Sequence, residues 1–168
     1  MNIFVLDNDI KKCAHYHCDQ HVIKMILEST QILCTALNLK GYKTPYKSTH
    51  TKHPCVKWVG KSYSNFKWLT ELAYELNGEY KYRYEKDTDH KSIATLESIQ
   101  QYSYEDLGLM EFVQAMPEEY KVPGDPVQAY RNFYNYDKSR FATWTKRPQP
   151  PWFQVKYNNK TEVKRENK

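Results

Sequence analysis

Apolar positions recur at helical spacing over most of the chain. Residues 10–37 contain neither proline nor glycine, and their apolar members return every three or four positions, which predicts one long helix. Ahead of it, residues 2–6 are mostly apolar and read as a short strand or extended segment, with Asp7 or Asp9 placed to cap the helix. A loop over 38–53, marked by Gly41 and Pro45, leads to a second long helix. Pro54 suits its first turn, and Val59, Tyr63, Phe66, Ala73, Leu76 and Tyr80 draw one stripe along it to residue 83. Residues 85–90 read as a loop, 92–101 as a shorter helix and 102–124 as irregular. Asp125-Pro126 pairs an N-cap acid with a first-turn proline, and Val127, Tyr130, Tyr134, Phe141 and Trp144 carry that last helix onward. Pro148, Pro150 and Pro151 hold 146–153 extended. The expected fold is mainly α: a single helical domain over 1–153, with extended segments at both ends, then a basic polar tail over 154–168.

The first helix carries the candidate chemistry. His17, His21, Lys24, Glu28 and Gln31 follow one another at spacings of four, three, four and three, so they share one narrow face. Cys18, Val22, Met25, Ile26, Ile32, Leu33 and Ala36 cover one flank; Ile23, Leu27, Cys34 and Leu37 cover the other. A helix apolar nearly all round is expected to be buried. Its polar stripe must then satisfy itself, as a Lys24–Glu28 pair could, or line a wet pocket. The pocket reading also accounts for the two histidines and the glutamine. In such a pocket Glu28 can act as acid, base or stabiliser of a developing cation. A desolvated Lys24 can become a neutral nucleophile, and His17 and His21 can hold phosphate or move protons.

Composition and charge narrow the classes. The 168 residues include 15 tyrosines, and mean hydropathy is −0.87. These values, with no apolar run approaching the ~18 residues of a span, argue against an integral membrane protein. Residues 1–68 carry 10 lysines against 4 acids, 69–153 are net acidic, and the tail is basic again, which points to one cationic surface suited to phosphates. The opening apolar run is too short for a signal-peptide core. A cytoplasmic protein with free thiols at Cys13, Cys18, Cys34 and Cys55 is expected. His50 and His53, beside Lys47 and Lys52, fit phosphate contact. Lys146 and Arg147 with Trp152 suit base stacking and phosphate contact, unless Trp152 and Phe153 strap the chain end over the core. Two other readings stand beside a DNA-acting enzyme. One is a metal-dependent hydrolase or nuclease using His17, His21, His50 and His53, although no HExxH or other metal spacing occurs. The other is a non-catalytic module that binds nucleic acid or a nucleotide.

Asp19-Gln20-His21, followed by Glu28 seven residues after the histidine, resembles the first helix of the phage pyrimidine-dimer DNA glycosylases of the endonuclease V type. The aromatic helix over 53–83 and the ending Lys146-Arg147-Pro148…Trp152, with Tyr157 beyond, resemble later parts of that family. The first helix is also similar to bacteriophage proteins to which no activity is attached, which would place the chain in a host cytoplasm. The resemblance implies a small helical enzyme in which an amine attacks the sugar C1′ of a damaged nucleotide, displaces the base and forms an imine. A glutamate stabilises the cationic sugar, and β-elimination cuts the strand. By resemblance Glu28 is that glutamate and His21 touches DNA. The family's amine is the α-amino group exposed when the initiator methionine is removed. Here residue 2 is Asn, so Met1 is expected to stay and to supply the amine, with Lys24 as substitute; α-amines titrate at about 7.7–8.0. Two arginine positions of the family are Leu27 and Gln31 here. The expected site is therefore Glu28 with Met1 or Lys24, a pocket lined by His17, His21 and Gln31, and DNA held by His50, His53, Lys146, Arg147 and Trp152. A monomer needing no cofactor is expected.

Overall fold

A computed structural model describes residues 1–156. Tyr157, where the family resemblance extends, and most of the basic tail lie outside the described residues. The helices are α1 (Ile10–Tyr16), α2 (Asp19–Leu39), α3 (Pro54–Lys61), α4 (Tyr63–Arg83), α5 (Ser92–Ser98) and α6 (Pro126–Phe133). Single 3₁₀ turns occur at Ile99–Gln101 and Glu118–Tyr120, and no strand occurs among the described residues. The mainly α, single-domain expectation holds.

Each of the two long predicted helices is broken once, for identifiable reasons. His17 and Cys18 are extended between α1 and α2. In an unbroken helix the carbonyls of His15 and His17 would accept from amides four residues on. Instead the Arg83 guanidinium takes both, at 2.8 and 2.7 Å, and the Asp19 amide donates to the Thr143 carbonyl. The second break is at Ser62, whose φ of −156° separates α3 from α4. There Asp106 accepts from the Ser62 and Ser64 hydroxyls and the Ser64 amide, capping the start of α4. The last helix is also shorter than expected. It passes into a π turn at Tyr134–Lys138, so Phe141 and Trp144 lie beyond it.

The core sits around α2, which packs mainly against α4 and α3. The N-terminal segment is extended, without a ladder partner, and Ile3, Phe4, Val5 and Leu6 are all buried. Its backbone is held by side chains: Arg131 Nε donates to the Leu6 carbonyl at 2.9 Å while the same guanidinium pairs with Asp7. By length and composition alone α2 could cross a bilayer, which the residue-by-residue reading missed. In this fold it is the central helix, with 61% of its most apolar window buried.

A candidate active site at the N-terminal amine

Asn2 fixes the start of the chain. Its amide donates to the Ala115 carbonyl at 2.8 Å, and its Oδ1 accepts from the Ile3 amide at 2.8 Å and faces the Tyr130 hydroxyl and Cys55 thiol. The Met1 side chain is buried against the core, with 3% of it exposed. With both side chains anchored, the Met1 α-amine comes to 3.7 Å from Glu28 Oε2. Glu28 itself is 14% exposed and stands in the middle of α2.

Two further groups close around this pair. Lys24, one helical turn earlier, reaches 3.9 Å from Glu28 Oε1, but its side chain is 64% exposed. It stands mostly in solvent, unlike the Met1 side chain. His53 caps α3: its Nδ1 accepts from the Cys55 amide at 3.0 Å, and the ring makes a hydrogen bond with the Met1 backbone. Burial lowers the pKa of His53, and the Met1 amine and His50 lower it further, against the Met1 backbone bond and Glu28. With Nδ1 used as an acceptor, the neutral ring carries its proton on Nε2. Gln31 follows Glu28 by three residues and is half-buried. His50 is exposed in the preceding loop, with its Nδ1 at 2.8 Å from the Thr49 hydroxyl.

The upstream histidines of the stripe are not part of this site. Because the helix breaks at His17, the stripe does not stay on one face. His17 is fully buried, and its Nδ1 is 2.7 Å from the Cys13 carbonyl, which fixes the proton there. Burial holds its pKa down to about 4. Its Nε2 is left as a bare acceptor in the core. His21 stacks on Phe4 at 4.4 Å, and its Nδ1 is 2.7 Å from the Tyr134 hydroxyl. Burial, then the nearby His17 and Lys138, push its pKa down to about 2. Both rings are neutral core groups, and neither can serve as a phosphate-binding cation. Nor does the alternative metal set assemble: no three His, Cys, Asp or Glu groups converge among the described residues.

The C-terminal candidates are also committed elsewhere. Arg147 forms a two-pronged pair with Glu79 at 2.9 and 2.8 Å and lies over the Tyr82 ring. Lys146 pairs with Glu85 at 2.8 Å. Trp152 packs between Tyr16 and Tyr134, with Arg131 over its face. This segment is the strap over the core, which was the other reading of its sequence.

Sequence reasoning missed the network behind that strap. Arg83, fully buried, pairs with Asp19 and Glu79, each at 3.1 Å. Asp19 also accepts from the Thr143 and Thr145 hydroxyls and the Thr145 amide. These bonds hold the Asp19 carboxyl below its usual range despite its desolvation, and Arg147 and Arg83 do the same for Glu79. The i, i+4 spacing of Glu79 and Arg83 on the apolar stripe of α4 was the available signal.

The surface near the amine is cationic. No acid falls between Glu28 and Glu71, whereas seven lysines do. Lys43, Lys47, Lys52, Lys57 and Lys61 have no carboxylate within ion-pair distance among the described residues. Lys52 and Lys57 flank His53 in sequence and at the start of α3.

The family model for pyrimidine dimer DNA glycosylase matches residues 1–92, which contain the amine, Glu28, His53 and the lysine-rich stretch. The chain belongs to this family of DNA glycosylases, and its substrate is DNA. No curated protein and no solved structure matches the chain.

Proposed function

We propose that the protein removes a damaged pyrimidine by attack of the Met1 α-amine on the sugar C1′ and then cuts the strand at the resulting site. The observation that carries this reading is the 3.7 Å separation of the Met1 amine and Glu28 Oε2. The amine loses its proton to water, and its lone pair forms the bond to C1′ as the glycosidic bond breaks. The departing base takes a proton. Glu28, as carboxylate, stabilises the positive charge that develops on the sugar. Opening of the ring at O4′, with proton uptake there, leaves an imine between Met1 nitrogen and C1′. Loss of a C2′ proton then expels the 3′ phosphate by β-elimination, and water hydrolyses the imine to restore the amine. These steps use no cofactor.

His53 supports the reading as a positioning residue that holds Met1 against Glu28. The unpaired lysines supply the charge for phosphate contact. Retention of Met1 is supported by its buried side chain, which removal would leave as a hole in the core. We further read the chain as a monomer of the cytoplasm.

The test is a duplex carrying one cis-syn thymine dimer. Glu28→Gln keeps the shape of the side chain and removes its charge, and base release should fall at least a hundredfold with folding intact. One extra residue ahead of Met1 moves the amine by about 3.8 Å and should have a similar effect. Unchanged base release in both variants would refute the proposal.

A further inference from the structure

One side-chain amide beside the catalytic pair has no partner. Every other asparagine or glutamine that is buried or half-buried among the described residues makes a side-chain hydrogen bond. Gln31 is half-buried and makes none with another described residue. Lys24, Glu28, Gln31 and Thr35 follow at spacings of four, three and four, so they share one ridge of α2. At the far end of that ridge the Thr35 hydroxyl accepts from the Thr49 amide at 3.1 Å, which ties the loop carrying His50 to α2. Gln31 thus stands between the carboxylate that faces the Met1 amine and this loop, with its donors free.

The position and the chemistry of this amide fit one group of the substrate. Side chains three residues apart on a helix start about 5–6 Å from each other. With Glu28 at the sugar, Gln31 therefore reaches the atoms just beyond C1′. The acceptor there is the base carbonyl O2, on the ring carbon next to the glycosidic nitrogen N1. A neutral amide suits a carbonyl, whereas the lysines suit the phosphates. On a stacked pyrimidine O2 faces the minor groove, which C1′ also borders, so the contact leaves the target in its stack. The damage raises the importance of this oxygen. A thymine dimer is saturated at C5 and C6, which cuts N1 off from O4. The negative charge left on N1 as the glycosidic bond breaks can then spread only onto O2.

We infer that the Gln31 side-chain amide donates to O2 of the target pyrimidine and stabilises the negative charge that leaves with the base. The inference deepens the amine–Glu28 reading and rests on it. Glu28 meets the positive charge that forms on the sugar, and Gln31 meets the negative charge that forms on the base. Both amide protons stay on Gln31, and the proton that the base ends with comes from water. A donor held at a developing anion speeds the breaking of the bond. Once the base has gone that donor has nothing to hold, so the strand-cutting steps do not need it.

The experiment measures single-turnover rates at pH 8 on two duplexes, one with a cis-syn thymine dimer and one with a preformed abasic site. Gln31→Met keeps the length of the side chain and removes its donors. It should release base from the dimer at least tenfold more slowly than the parent and cut the abasic duplex within twofold of the parent rate. Gln31→Glu, ionised at this pH, sets an acceptor against O2. Its ratio of dimer rate to abasic rate should fall below that of Gln31→Met. The unfolding midpoint of Gln31→Met should hold, because the amide has no partner in the fold to lose. A ratio equal to the parent's in either variant, whether from no loss or from an equal loss on both duplexes, would overturn the role of Gln31 and leave the amine and Glu28 in place. A parent that releases no base from the dimer would overturn both readings.

Discussion

The Met1 α-amine and the Glu28 carboxylate, 27 positions apart in sequence, stand 3.7 Å from each other because Asn2 is tied into the core. In the proposed reaction the amine must reach a carbon atom, which needs a fixed origin, and the buried segment Ile3–Leu6 provides one. Orientation of this kind is a large part of what an active site contributes.

His53 should therefore matter to rate more than to binding. Asn can replace it as the α3 cap but cannot reproduce the ring beside Met1. His53→Asn should lower kcat about tenfold with KM and unfolding midpoint near parent values, as steady-state kinetics and thermal melts will show. A parallel fall in stability would reduce His53 to a structural cap.

The buried network makes a separate prediction. Arg83→Met leaves Asp19 and Glu79 as poorly compensated carboxylates and frees the carbonyls at the α1–α2 break. Breaking a buried pair in this way costs about 3–5 kcal/mol. Denaturant titration should show a loss of that size, well above the loss from Lys146→Ala at its surface pair with Glu85.

Acid should weaken the fold before its carboxylates titrate. His17 and His21 are held neutral in the folded chain, at about 4 and about 2, and take up protons on unfolding near 6.5. Their contribution is thus complete above pH 6.5 and is lost as pH falls toward the folded values. By about pH 4.5 each ring accounts for roughly 2–3 kcal/mol. His15, His53 and His90 are shifted in the same direction. The comparison is therefore with His21→Gln, whose unfolding free energy should fall less steeply over this window. Identical slopes would mean that His21 is not a neutral core group.

The lysines near the amine and the cations of the strap should separate in salt titrations of DNA binding. Lys52→Ala and Lys57→Ala should each weaken binding and lower the salt slope by about one. Arg147→Ala should instead lower stability, because it removes a partner of buried Glu79, and should leave the salt slope unchanged.

Periodicity made the helical class legible, and Asp125-Pro126 marked α6 correctly, since Asp125 does accept from the Gln128 amide. It could not show the breaks at His17 and Ser62. Both are imposed by side chains distant in sequence, Arg83 in one case and Asp106 in the other. For the same reason only part of the polar stripe stays together. Glu28 and Lys24 belong together, but the break turns His17 into the core, and Tyr134 and Phe4 enclose His21. A basic residue beside aromatics looks alike in sequence whether it meets a phosphate or, as Arg147 does, a buried glutamate. The fixed position of Met1 rests on an extended segment with no periodic signal of its own.

The most direct test of the central claim is borohydride trapping on dimer-containing DNA, followed by mass mapping of the linked peptide. The account predicts one covalent adduct, reduced from an imine, on the α-amine of Met1, and none in protein extended ahead of Met1. An adduct on Lys24, or base release with no adduct at all, would contradict it.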